Sequence, residues 1–156
     1  MKKSILVLLT FVPMIVGYIV NVSLLIPVVG MIVFYVLPLL MTAFWLYLGR
    51  QYARSSWKTI PALLIGNATG IVSLLIYLWQ IFLETDETIN LFLMSVAQMF
   101  SNAAPIYLLS KAAILFETRP NYAGRNFMVA LNVMSFAYMI VVFLLGFFWE
   151  KKMGKA

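Results

Sequence analysis

The chain has 156 residues, of which 64% are hydrophobic and 10% charged, against roughly 45–50% and 25% in an ordinary soluble domain. So much apolar surface exceeds what a soluble fold can hide, and the composition points to an all-α integral membrane protein. With no Cys and no His, the thiolates and imidazoles that hold zinc, iron–sulfur clusters or haem are missing, so no metal and no cofactor is expected, and a disulfide is excluded.

In chain order, the first signal is Met1-Lys2-Lys3 before an apolar run, a pattern shared with signal peptides. No small-x-small cleavage site follows near Gly17 to Ser23, and a retained first helix is expected. Residues 4–49 form 46 positions without a charge, about twice the ~20 residues that cross a ~30 Å hydrocarbon layer. They read as two spans, about 5–20 and 27–48, with the break near Gly17 to Pro27, where Gly17, Asn21, Ser23 and Pro27 gather. Further charge-free runs predict spans at about 60–83, 89–109 and 127–149. The expected fold is a five-helix transmembrane bundle forming a single domain over 1–156. The runs do not alternate with period two, which excludes a β-barrel.

The net charge of +6 is confined to short segments between apolar runs, so its expected partners are the lipid bilayer and anionic lipid head groups, not nucleic acid. With five spans and a cytoplasmic N-terminus, Lys2, Lys3, Arg50, Arg54, Lys58, Lys111, Arg119 and Arg125 lie inside and Lys151, Lys152 and Lys155 outside, a count of 8 against 3. Drawing 4–48 as one crossing gives 6 against 5. The expected location is therefore a multi-pass cell membrane protein, of a bacterial inner membrane, with an external C-terminus and an external acidic hairpin at Glu84 to Glu87. The lysine-rich tail sits awkwardly on the minority side. Three predicted spans separate it from the Arg50 to Lys58 loop, which forces the two to opposite sides.

Polar residues inside the spans carry the remaining information. On span three, Gly66, Gly70, Ser73, Tyr77, Gln80 and Glu84 fall within an arc of about 80° at ~100° per residue. Gly66-x-x-x-Gly70 is a small-residue pattern for close helix packing, within the monomer or between protomers. Gly146 on span five serves as a comparison position outside that seam. On span four, Ser95, Gln98, Ser101, Asn102 and Pro105 form a second polar face, and Asn132 and Ser135 on span five are candidate partners for it. The expected ligand-contacting set is Gln80, Ser95, Gln98, Asn102, Asn132 and Ser135, and the helix-packing set is Gly66, Gly70, Ser73 and Tyr77.

Catalytic residues are expected to be none. Intramembrane hydrolysis needs a nucleophile with a base, and neither His nor a central Asp pair or Lys is present. Proton-coupled antiport of the small multidrug type uses a carboxylate buried in the first span, and this first span has none. The segment Arg119 to Arg125 reads as a turn with orientation charges. In length and span count the chain is similar to the five-helix translocator protein family, but it lacks that family's tryptophan and proline pattern between its early helices, and no function is carried over. Two readings stand. The first is a non-catalytic bundle acting through helix–helix association, as an accessory subunit of a membrane complex, an immunity-type protector or a homo-oligomer. The second is a small transporter or substrate-capturing component with a polar site between spans three, four and five near the bilayer midplane.

Overall fold

The computed structural model describes residues 2–55, 57–85, 87–117 and 124–154. Asp86 of the acidic hairpin, Arg119 and the turn that follows it, and Lys155 lie outside the described residues. All elements described are helical: α1 (Lys3–Leu9), α2 (Val12–Ser23), α3 (Val29–Arg54), α4 (Thr59–Gly66), α5 (Ala68–Phe82), α6 (Leu91–Asn102), α7 (Ile106–Ala113) with a 3-10 turn at Ile114–Phe116, and α8 (Arg125–Met153).

Three stretches are each long and apolar enough to cross a membrane: Lys3–Ser23, Val29–Arg54 and Arg125–Met153. Two bent pairs bring the number of candidate spans to as many as five, one bent by 57° between α4 and α5 and the other by 106° between α6 and α7. The first two predicted spans are separated within the expected window, but at its far edge. Gly17 lies inside α2, and the chain turns only after Ser23, with Val28 at a φ of 65°.

The long helices α3 and α8 form the central pair. They cross where glycine removes the side chain from both: a Cβ on Gly49 would lie 2.1 Å from the carbonyl oxygen of Phe143, and one on Gly146 would lie 2.0 Å from that of Leu46. Backbones this close leave no room even for a methyl group. Around the crossing, Trp45 is fully buried with Phe100 and Phe143 rings at 5.9 and 6.5 Å. The hydroxyls of Thr42 and Tyr138 meet at 3.1 Å to add a polar tie between the two helices. Gly17 plays the same part between α2 and α6, where an added Cβ would strike the backbone carbonyl of Met99.

The ends of the bundle differ from the sequence expectation. Glu150, near the end of α8, accepts from Arg50 Nε at 2.9 Å and Arg54 Nε at 2.6 Å, and Lys151 Nζ donates to Thr59 Oγ1 at 3.1 Å. Lys3 Nζ lies 5.2 Å from the Trp57 ring. The N-terminal helix, the end of α3 with the residues after it, and the end of α8 therefore share one basic end, and the expected separation of Lys151 and Lys152 from Arg50 and Arg54 is corrected. The reason lies in α6 and α7. At the opposite end, the Asn90 N–H at the start of α6 donates to Gln80 Oε1 at 2.6 Å, and the Arg125 guanidinium at the start of α8 donates to the Ile81 carbonyl. Glu117 Oε2, just past the 3-10 turn, accepts from Gly124 N at 2.9 Å. Both ends of the α6–α7 unit thus lie at that one end. Its first arm has 12 residues, or ~18 Å at ~1.5 Å per residue, and the chain turns back at Ala103 to Pro105, where proline removes a donor and breaks the helical ladder.

Placing a methyl group on Gly146 is expected to force α3 and α8 apart. Gly146→Ala should lower the thermal midpoint clearly, at the ~1–3 kcal/mol typical of overpacking. Gly154→Ala, whose added Cβ meets its nearest neighbour at an ordinary 3.4 Å, should leave it unchanged. Equal midpoints for the two variants in a detergent melt would remove the crossing as the central contact.

Candidate functional site

The polar residues expected to cluster do meet in part, between α5, α6 and α8. Ser101 Oγ lies 2.7 Å from Asn132 Oδ1 and 2.8 Å from the Gln98 carbonyl, so its single proton is shared between two acceptors. Asn132 Nδ2 donates to the Met128 carbonyl at 2.8 Å. The side chains of Gln98 and Asn132 lie beside the hydroxyl of Tyr77, a residue that is 1% exposed. Ser101 and Asn132 thereby pair across two helices, with Tyr77 of a third beside them, in an apolar surround where unpaired polar groups are costly.

Very little space remains inside this cluster. The void lined by Gly70, Ser73, Ala97, Ser101 and Asn132 holds about 10 Å³, at the lower limit for a single water molecule. The arrangement is a tightly packed polar lock between helices, and the larger space that borders it at Ser73 and Ala97, about 230 Å³, has mostly apolar walls such as Met14, Val72 and Ile76.

Other members of the expected ligand set lie apart from it. Gln80 is buried but serves the start of α6 through Asn90. Ser95 is exposed and bonds the Leu91 carbonyl of its own helix. Ser135 is fully buried, with a hydroxyl that has no partner among the described residues. Asn102 is half-buried at the 106° bend, and its side chain makes no hydrogen bond to the described residues.

The packing set is buried throughout: Gly66, Gly70, Ser73 and Tyr77 all face inward. The partner is an aromatic ring in place of a second backbone. A Cβ on Gly66 would lie 2.6 Å from Phe143 Cζ, and one on Gly70 would lie 2.5 Å from Phe100 Cζ. The glycines make sockets for two rings inside the monomer, and the closer backbone approach belongs to Gly146, the position chosen from sequence as lying outside the seam.

Two residues that organise this region were missed. Ser101 was placed on the polar face but left out of the site, although it donates to Asn132. Asn67 interrupts the third span, with Oδ1 accepting from Trp45 Nε1 at 3.2 Å and Nδ2 donating to the Leu63 carbonyl at 2.9 Å, while itself fully buried. Its neighbour Thr69 donates to the Thr10 carbonyl at 2.7 Å, joining this break to the one between α1 and α2. A Gly-Asn pair inside a charge-free run was the available signal, since an amide at that depth needs a partner.

Chemically, the cluster can donate and accept hydrogen bonds and little else. Among the described residues no three His, Cys, Asp or Glu side chains come together as a metal site.

Asn132→Leu should cost stability at the ~0.5–2 kcal/mol scale of interhelical hydrogen bonds, and Ser101→Ala should cost less because only one of the shared contacts crosses between helices. Combining them tests the pairing: the double variant should lose less than the sum of the single losses, and strict additivity in a double-mutant cycle would show that the two side chains do not interact. Comparison of the chain with family models, with curated proteins and with solved structures finds no match, so the reading of this site rests on its own geometry.

Proposed function

We propose that this is a non-catalytic, multi-pass membrane protein that acts by presenting its outer helix faces to another membrane protein, as an accessory subunit or protector. The observation that carries the reading is the tightly packed polar lock. Ser101 and Asn132 meet beside a void of about 10 Å³, with Gln98 and Tyr77 next to them, while the outward positions of α2 and α3 hold large apolar side chains such as Ile15, Ile32 and Leu40. A partner in the bilayer would meet shape and dispersion contacts, the terms that govern helix association in lipid. Since Gly66 and Gly70 are filled by the chain's own Phe143 and Phe100, the association face in this proposal lies elsewhere than on the third span.

The same proposal includes a topology of four crossings, in which the α6–α7 unit enters and leaves from one side. Lys2, Lys3, Arg50, Arg54, Lys58, Lys151 and Lys152 then share one side, against Lys111 and Arg125 on the other, seven to two among the described residues. This supports a cytoplasmic basic end and removes the awkwardness of the lysine-rich tail. The chain lacks cysteine, so single cysteines introduced at Ser55, Met153 and Thr85 report the arrangement directly. An impermeant thiol reagent should treat Ser55 and Met153 alike and Thr85 oppositely in intact cells. Opposite labelling of Ser55 and Met153 would restore the five-span topology.

The transporter reading is favoured by one observation: the Asn102 amide has no hydrogen bond among the described residues at a sharply broken helix, and discontinuous helices line the sites of many secondary transporters. Asn102→Leu separates the two proposals. On the association reading, the variant should keep its stability and still co-purify with the same partner from gently solubilised native membranes. Loss of a transport activity with stability kept would favour the second reading, and migration of the wild-type protein as a lone 17.7 kDa chain under those conditions would overturn the first.

A further inference from the structure

A wide concavity lies on the outer surface of the molecule. It is a groove of about 480 Å³ on the α3–α8 face, bounded by Leu46, Val141, Leu145, Phe148, Trp149 and Lys152. Its walls are apolar along their length. From Val141 to Lys152 the groove follows α8 for twelve residues, about 16 Å from first to last at ~1.5 Å per residue. One wall is held in place, because the Trp149 indole N–H donates to Met153 Sδ at 2.8 Å and keeps the ring along the helix.

The charge at the mouth decides what suits this groove. At the basic end of the bundle, Arg50 and Arg54 are engaged by Glu150, and Lys151 is held by the Thr59 hydroxyl and by the Phe147 ring at 4.6 Å. Lys152 is exposed and has no ion pair or hydrogen bond to the described residues. The nearby carboxylate of Glu150 is already occupied by two guanidinium groups, so it leaves the mouth cationic. An apolar channel that ends at a free ammonium, beside an indole at the level where membrane interfaces favour tryptophan, is complementary to an amphiphile with an anionic head.

We propose that the α3–α8 groove is a binding site for one acyl chain of an anionic phospholipid, with the lipid phosphate on Lys152 Nζ. The acyl chain lies against Val141, Leu145 and Phe148, and the ammonium, unpaired among the described residues, meets the phosphate. This site rests on the membrane reading given above.

The test measures quenching of Trp149 by lipids brominated on the acyl chain, taking the signal that disappears in Trp149→Phe as the Trp149 share. The full chain is reconstituted into phosphatidylcholine vesicles containing a small, equal fraction of either brominated phosphatidylglycerol or brominated phosphatidylcholine. Quenching by phosphatidylglycerol should be preferred roughly fivefold, the effect of one basic residue near an anionic lipid surface. Lys152→Gln should bring the preference close to one, Lys58→Gln at the same end should leave it unchanged, and soluble glycerol phosphate should not displace the lipid. Equal quenching by both lipids in the wild-type protein, or a preference that survives Lys152→Gln, overturns the site. Trp149 shielded from both lipids overturns it in favour of a second protein chain in the groove. A protein that does not float with the vesicles at all fails the membrane reading itself, an outcome separate from failure of the site.

Discussion

Everything else in the bundle is arranged around the approach of the α3 and α8 backbones at Gly49 and Gly146. In water such a crossing is backed by the hydrophobic effect. In the membrane setting proposed above that drive is absent, and the contact would rely on dispersion, which falls off steeply with separation. Removing both Cβ atoms is what brings the two surfaces within range. Once they are, Trp45, Phe143 and Phe147 have a fixed floor to pack on, and the Arg50, Arg54 and Glu150 side chains are brought together one turn further along. These ion pairs are partly exposed and mark the register of the two helices more than they strengthen it.

A second constraint is that every break in a helix frees backbone groups which an apolar surround does not satisfy. The breaks at Thr10 and Asn67 answer this jointly. Thr69 donates to the freed Thr10 carbonyl, and Asn67 spends its amide on Leu63 while its oxygen takes the Trp45 indole proton. Two interruptions placed side by side thus supply each other's missing partners. The bend between α6 and α7 is treated differently: Ala103, Ala104 and Pro105 are buried against the core with small side chains, which lets the turn sit deep without bringing bulk.

The sequence made the helical class legible, because uninterrupted apolar runs of span length have few other structural outcomes; it located the last helix to within a few residues but read 60–83 as one helix where Asn67 breaks it into α4 and α5, bent by 57°. The inward face of the third span was legible for the same reason: Gly66, Gly70, Ser73, Tyr77 and Gln80 repeat at helical spacing and are all buried. What the run lengths concealed was direction. Residues 89–109 have the length of a crossing, and hydropathy is blind to a reversal at Pro105, since buried core and lipid-facing surface are equally apolar. The parity of the topology depended on that one turn, so the placement of Lys151 and Lys152 relative to Arg50 changed with it. The pairing of Ser101 with Asn132 was hidden for a related reason: periodicity identifies a polar face, but which member reaches the neighbouring helix depends on the crossing geometry.

The helix α8 carries a consequence for how the chain is made. It is translated after everything it packs against, and its contact with Arg50 spans 100 residues of sequence. Until it emerges from the ribosome, the glycine face of α3 has nothing to close on, Gly66 has no ring to fill its socket, and Ser101 has no amide across from it. The contacts at the α3–α8 crossing, at the Gly66 socket and at Ser101 thus all wait on the last helix to be made.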